Sequence, residues 1–372
     1  MSLIISEEQK MLKDSAAELL KTKASVSEMR KLRDAKYTPY DIKLWEEMVD
    51  MGWTALTVPE IYNGLDFGFL GLGQILEEIG KNLSKSPLIS SILLGASVLR
   101  LSDNEPLKMK LFPGIMGGTT QLAFAFQEGK YHQTTSFSTK AVLEEENYLI
   151  NGSKTIVIDG STANQLIVVC KVNQELGLFI VDPNLEGIRI SKKILMDSGT
   201  YADISFKNVK VSVVNKLNIK LDGSLFLDKV MAIAYAGISA ELLGICKQAF
   251  DLTIQYLKER QQFGVIIGTY QALQHRAVIL FSEIELCKSI VLKALKSIDN
   301  NDSNTLKYAH LAKAKLCKTV KLVTNEAIQL HGGIGVTDDA DIGFYLKRAR
   351  VAQQLFGDYN YHLDKLAKLK GY

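Results

Sequence analysis

The residues whose types and spacing could do chemistry begin with Tyr256, Arg260, Phe263 and Gly264, followed by Gln271. Only 8 of the 44 basic residues are arginine, so an arginine here is less readily a generic solvated cation than a lysine. A planar guanidinium grips a phosphate through two parallel hydrogen bonds, Phe263 can cover an aromatic ring, and Gly264 ends the helix so that the chain turns back. The plainer account is a helix C-terminus whose dipole Arg260 complements. A second cluster, Gln329-Leu330-His331-Gly332-Gly333-Ile334-Gly335, closes another helical pattern. Its glycines allow close approach of a ligand to the backbone, and their N–H groups can face a phosphate or an adenine ring. The same run also serves as a helix-to-helix turn, and it lacks the strand that precedes a G-x-G-x-x-G dinucleotide fingerprint. His331 by itself reads as a packed or capping histidine. Cys170, Cys246, Cys287 and Cys317 lack any ligand spacing, so neither a zinc site nor a disulfide framework is expected, and they read as small core residues.

Three kinds of segment must position these residues. From Ser6 to about Gly118 the pattern is helical, with a capping box of Ser6 and Gln9, a helix over Tyr40 to Met51, and a third helix containing Leu76-Glu77-Glu78-Ile79. Between Thr119 and Asp222 short apolar runs predict strands: Leu122 to Phe126, Tyr148 to Ile150, Thr155 to Ile158, Leu166 to Cys170 and Leu178 to Val181. Asn151-Gly152 between two of these runs predicts a hairpin turn, because both residues tolerate positive φ. Beyond Gly223, helices over Leu225 to Arg260, Tyr270 to Ile298, Thr305 to Leu330 and Ile342 to Leu369 predict an antiparallel bundle. Gly237 and Gly244, seven apart on one face of the first of these, allow a neighbouring helix or a ligand to approach the backbone. The expectation is an α+β protein with domains 1–118, 119–222 and 223–372.

At 372 residues, 47% of them hydrophobic, the chain can bury a large core. A net charge of +3 supplies no general basic field for nucleic acid. The longest apolar stretch, Val230 to Ala240, is too short to span a bilayer, and the start of the chain has no signal-peptide pattern. No membrane partner and a soluble cytoplasmic protein are therefore expected.

Taken together, Tyr256 to Gly264, Gln271-Ala272-Leu273-Gln274-His275 and Gln329-x-His331-Gly332-Gly333-x-Gly335 closely resemble the acyl-CoA dehydrogenase family. Val58-Pro59-Glu60 with Gly64, Leu76-Glu77-Glu78-Ile79-Gly80 and Asn151-Gly152-Ser153-Lys154 have counterparts there in the same order, so the resemblance covers essentially the whole chain. It implies an N-terminal helical domain, a middle β-barrel-like domain and a C-terminal four-helix bundle. It also implies an FAD-dependent oxidoreductase of lipid metabolism that dehydrogenates an acyl-CoA thioester between Cα and Cβ and passes electrons to an electron-transferring flavoprotein. By the same resemblance, Arg260, Phe263, Gln271, Gln329, Gly332 and Gly333 contact the FAD, in part across a subunit boundary of a dimer or tetramer.

The chain also departs from that pattern. Phe126-Gln127-Glu128-Gly129-Lys130 stands where the family has Thr-Glu-Pro, and Ile156 and Ile158 replace the tryptophan and threonine that flank the flavin. The family's proton-abstracting glutamate aligns with Phe356, and its alternative position with Ala234. Two acidic residues are candidates for the lost base. Glu241 is on the face of Ala234 but about 10 Å further along, and its alternative role is an ion pair. Asp358 follows the lost position, and its alternative role is to cap a last helix beginning at Tyr359. The readings left open are an active chain, a subunit of a hetero-oligomer whose partner supplies the base, a non-catalytic structural or regulatory paralogue, and a flavin-dependent oxidase or monooxygenase on the same fold.

Overall fold

The computed structural model describes residues 5–35 and 39–372, so part of the opening stretch Met1 to Ser6 lies outside it. By its contacts the chain forms two compact units, one of residues 1–31, 73–84 and 235–372, the other of residues 32–72 and 85–234.

The first unit is helical. Helix α1 (Glu7–Lys23) opens with the expected capping box, in which Ser6 Oγ accepts from the Gln9 amide at 3.2 Å and Gln9 Oε1 accepts from the Ser6 amide at 2.9 Å. Helix α2 (Val26–Asp34) follows, and α3 (Ile42–Asp50) lies within the second unit. Helix α4 (Phe69–Asn82) brings Glu77 and Gly80 into the first unit.

The second unit holds the sheet. A buried π-helical segment, Leu88–Ala96, runs into α5 (Ser97–Leu101), and α6 (Glu105–Met116) precedes the strands. These are β1 (Leu122–Ala125), β2 (Lys140–Glu144), β3 (Asn147–Ile158), β4 (Gln165–Val172), β5 (Glu175–Val181), β6 (Ile188–Ile194), β7 (Thr200–Ser212) and β8 (Lys216–Leu217). Their order is β6-β7-β3-β2-β4-β5-β8, with β1 pairing in parallel to β4. Leu166, Val168 and Cys170 of β4 pack into one apolar core with Phe179, Val181, Ile204 and Phe206. Ile167 and Val169 are buried as well, which explains why β4 reads as a continuous apolar run.

The Asn151-Gly152 hairpin is a misreading. Both residues lie inside the single strand β3, at a register shift against β7. Asn151 Oδ1 accepts from the Asn208 amide at 2.8 Å, and a Cβ on Gly152 would stand 2.6 Å from Thr139 Cα, so close packing demands this pair, not a turn. The real hairpin joins β2 to β3 through Glu145-Glu146.

Helix α7 (Gly223–Glu259) is long and apolar enough to cross a membrane by length and composition, yet 94% of its apolar window is buried inside the protein, as in the core helix of a bundle. After it come the small strands β9 (Gln261–Gln262) and β10 (Val265–Ile266), then α8 (Gln271–Asp299), α9 (Thr305–His331), α10 (Ile342–Gln354) and α11 (Tyr359–Leu369). The last helical pattern is thus two helices, broken at Phe356-Gly357, where both residues have positive φ (61° and 98°). All four cysteines are free and buried, and burial pushes Cys170 up to about 12 and Cys287 to about 11.

Candidate functional site

Helix α7 ends at Glu259, so Gly264 does not terminate it. Instead Phe263 and Gly264, at φ 54° and 80°, form the two-residue tip of the β9–β10 hairpin, a turn whose twist suits tightly paired strands. Phe263 is 91% exposed at this tip. The Arg260 side chain is exposed and forms no hydrogen bond or ion pair among the described residues. Gln271 starts α8 and Gln329 lies in the last turn of α9, both exposed. Gly332 ends α9 at φ 66°, and neither Gly332 nor Gly333 would have a heavy atom within 4 Å of an added Cβ.

A contact invisible in the sequence joins these segments. Tyr256, one turn before Arg260, stacks on His331, just before Gly332, with ring centroids 4.5 Å apart and planes 25° apart. His331 Nδ1 lies 2.7 Å from Ala327 O, and since a carbonyl only accepts, Nδ1 carries the proton. Burial lowers the pKa of His331, which is thus a packed residue. The arrangement fits a dinucleotide diphosphate: an uncommitted guanidinium for the phosphates, an exposed ring for the base, and open space over two glycines.

The two positions that the resemblance aligns with the base, Ala234 and Phe356, hold no carboxylate. Ala234 is fully buried on α7, and Phe356 is 5% exposed in the α10–α11 turn. Glu241 Oε1 and Oε2 accept from Arg348 Nε at 2.7 Å and from a terminal Arg348 nitrogen at 2.9 Å, a bidentate pair that occupies both oxygens. Asp358 caps α11, accepting from the Tyr361 amide at 2.9 Å. Both carboxylates therefore have the structural partners that their alternative roles require. Lys313, completely buried, places Nζ 3.2 Å from Ala352 O and 3.0 Å from both Gln353 O and Gly357 O, so an ammonium grips the C-terminal end of α10 and the turn beyond it.

In the second unit, the segment Phe126 to Lys130 is anchored by Glu128. Burial alone would raise its carboxyl, but hydrogen bonds from Lys154, Ser138 and Thr139 outweigh that and hold it at about 2. The Lys154 Nζ to Glu128 Oε1 distance is 2.5 Å. Ile156 sits in a bulge of β3 at φ 51°, with its amide donating to Asp203 Oδ1 at 3.1 Å. In the same unit a cleft of about 610 Å³ is lined by Thr134, Ser136, Lys171, Asp222, Ser224 and Leu227, among others. Among the described residues no group of three or more His, Cys, Asp or Glu side chains could hold a metal ion.

Comparison with known proteins gives two family matches: acyl-CoA dehydrogenase, N-terminal domain, over residues 6–119, and acyl-CoA dehydrogenase, C-terminal domain, over residues 225–370. The acyl-CoA dehydrogenase IpdE2 of Mycolicibacterium smegmatis is 28% identical over 366 residues, 97% of this chain and 98% of its own. Subunit CarC of the caffeyl-CoA reductase-Etf complex of Acetobacterium woodii is 26% identical over 360 residues, 94% of each chain. The structure of butyryl-CoA dehydrogenase from Megasphaera elsdenii superposes with a TM-score of 0.90 at 23% identity, covering 100% of both chains, and so shares the fold.

Proposed function

The chain belongs to the acyl-CoA dehydrogenase family, and we propose that it binds FAD and takes part in the α,β-dehydrogenation of an acyl thioester, exchanging electrons with an electron-transferring flavoprotein. The observation that carries this reading is the uncommitted Arg260, one turn beyond the Tyr256 that stacks on His331, with Phe263 exposed at the hairpin tip and two open glycines directly after His331. Bound FAD would supply the hydride acceptor. Arg260 would neutralise its diphosphate, Phe263 and Gly332-Gly333 would cover the adenosine, and Gln271 and Gln329 would hydrogen-bond its polar edges. In the second unit, the hydroxyl-lined cleft with Lys171 suits the polar arm of a CoA-like carrier. The CarC likeness supports an electron-transferring flavoprotein as redox partner.

With Phe356 and Ala234 at the base positions, the chain's own residues provide no carboxylate there. We place it in an oligomer in which the proton acceptor comes from another chain, and the family's shared FAD site supports such an assembly.

The test is an anaerobic spectral titration of purified protein with a panel of acyl-CoA thioesters. Flavin near one per chain is expected, with a perturbed spectrum on thioester addition and slow reduction in the isolated chain. Arg260→Ala should lower flavin retained after desalting by about tenfold or more, since a charge-assisted contact is lost. A wild type that stays colourless after reconstitution with excess FAD rejects the proposal.

A further inference from the structure

Lys313 of α9 carries a charge that the function proposed above leaves unused, and it is wholly buried without an ion pair among the described residues. Its Nζ meets three backbone carbonyls, Ala352 O at 3.2 Å and Gln353 O and Gly357 O at 3.0 Å. The Cys317 thiol lies 3.3 Å from the same nitrogen and 3.7 Å from Gln353 O. Asp358, whose charge reaches Lys313, is engaged as the cap of α11. On the other side of the turn His362 Nε2 lies 3.1 Å from Phe356 O, and His362 Nδ1 lies 2.7 Å from His310 Nδ1.

Counting hydrogens gives the protonation state of Lys313. Carbonyls only accept, so three N–H groups point at three of them and the amine is an ammonium. Burial works against that charge and lowers its pKa, while the carbonyls, two of them at the negative end of α10, work for it. The last turn of α10 has four end carbonyls to satisfy. Val351 O takes the Leu355 amide at 3.1 Å, Gln354 O takes the Gly357 amide at 3.3 Å, and Lys313 takes the two between. Its third hydrogen crosses the break to Gly357 O. Apolar packing is no substitute, because convergent carbonyl oxygens repel one another unless a cation stands between them.

We propose that Lys313 is a positioning residue: its charge clamps the end of α10 to Gly357 and so fixes where the side chain at position 356 points. That a group at this position reaches the thioester rests on the function proposed above; the clamp does not.

The test compares Lys313→Met, which keeps the length of the side chain without charge or donors, with Lys315→Met, which breaks a partly exposed pair with Glu283 from the same helix. Hydrogen exchange is read in the full chain as purified, so no flavin is required. Lys313→Met should lose about tenfold or more protection at the Leu355 and Gly357 amides with α8 unchanged, and Lys315→Met should match wild type at this turn. Protection kept at the turn in Lys313→Met, or lost equally along α8, overturns the clamp. If Lys313→Met fails to fold, lysine-nitrogen NMR of the wild type decides. One slowly exchanging ammonium, coupled across hydrogen bonds to three carbonyl carbons, is expected, and a neutral or freely exchanging amine overturns the proposal.

A kinetic arm reads the positioning itself. In the Phe356→Glu protein, adding Lys313→Met should lower the limiting rate of flavin reduction by acyl-CoA about 10²-fold with half-saturation unchanged, the cost of a misplacement of about 1 Å. Reduction that is indifferent to Lys313 refutes the positioning role. No gain from Phe356→Glu itself would strike the proposed function and leave the exchange result standing.

Discussion

A phenylalanine at φ 61° costs about 1–3 kcal/mol and persists only where its surroundings over-determine it, as they do here. The Phe356 and Gly357 carbonyls are held by His362 and Lys313, and a Cβ on Gly357 would stand 2.4 Å from the Tyr361 ring. If, as proposed, Phe356 stands at the family's base position, this turn lacks only the carboxylate. Phe356→Glu is therefore expected to raise the rate of flavin reduction by acyl-CoA by about 10²–10⁴-fold in stopped-flow measurements, the usual worth of a positioned general base. Asp358→Asn should leave the rate unchanged, because asparagine caps a helix as well as aspartate. Glu241→Gln should act on stability: removing one partner of a buried pair costs about 3–5 kcal/mol, readable by denaturant titration, without changing the rate per bound flavin. Full wild-type activity abolished by Glu241→Gln or Asp358→Asn would show a relocated base and overturn this account.

Helices α4 and α7 meet backbone to backbone at two glycines. A Cβ on Gly244 would lie 1.9 Å from Glu77 O, and one on Gly80 would lie 2.1 Å from Glu241 O. Glu77 is buried there between Lys13 at 2.7 Å and Lys247 at 2.6 Å, so separating the helices would also loosen a desolvated charge cluster. Gly244→Ala should destabilise by about 1–3 kcal/mol or more, seen as a lowered Tm, while Gly333→Ala, with open space around it, should leave the Tm of the apoprotein unchanged. Equal melting of Gly244→Ala and wild type would contradict the close approach. Gly244 was legible as a point of close approach, though whether by a helix or a ligand was not, and α7 and α8 were placed to within two residues, because caps and breakers are local signals. It misplaced the hairpin, because what fixes Asn151-Gly152 is the distant Asn208 and Thr139, while the true turn at Glu145-Glu146 is written in residues without turn preference. The break at Phe356-Gly357 was half visible, as Asp358 carries a cap signature but nothing in Phe356 signals a left-handed turn. The exposed residues proposed to hold FAD were legible as a pattern. The Tyr256–His331 stack and the His310–His362 pair were not, since only the packing of α7, α9 and α11 brings them together.

Whether one chain is the working molecule turns on α8. It exposes Val278, Ile279, Phe281 and Leu286 over half or more of their surface, large apolar groups spread over nearly half of the helix circumference that water covers at a cost. The occupant we assign to this face is a second copy of the chain, since the family resemblance implies an FAD site partly built by a neighbour and a symmetric pair would bury the same face twice. Sedimentation velocity at micromolar concentration should then give a dimer or tetramer. Paired substitution of Ile279→Glu and Phe281→Glu should shift it to monomer and lower retained flavin in the same preparation, because the neighbour's share of the site departs with it. Arg260→Ala separates the two effects: it should lower flavin while leaving the sedimentation coefficient unchanged, since an exposed guanidinium on the hairpin flank contributes no apolar area to the assembly. A wild-type monomer that retains FAD would break the link between assembly and cofactor, and it would leave the isolated chain to account for the whole site by itself.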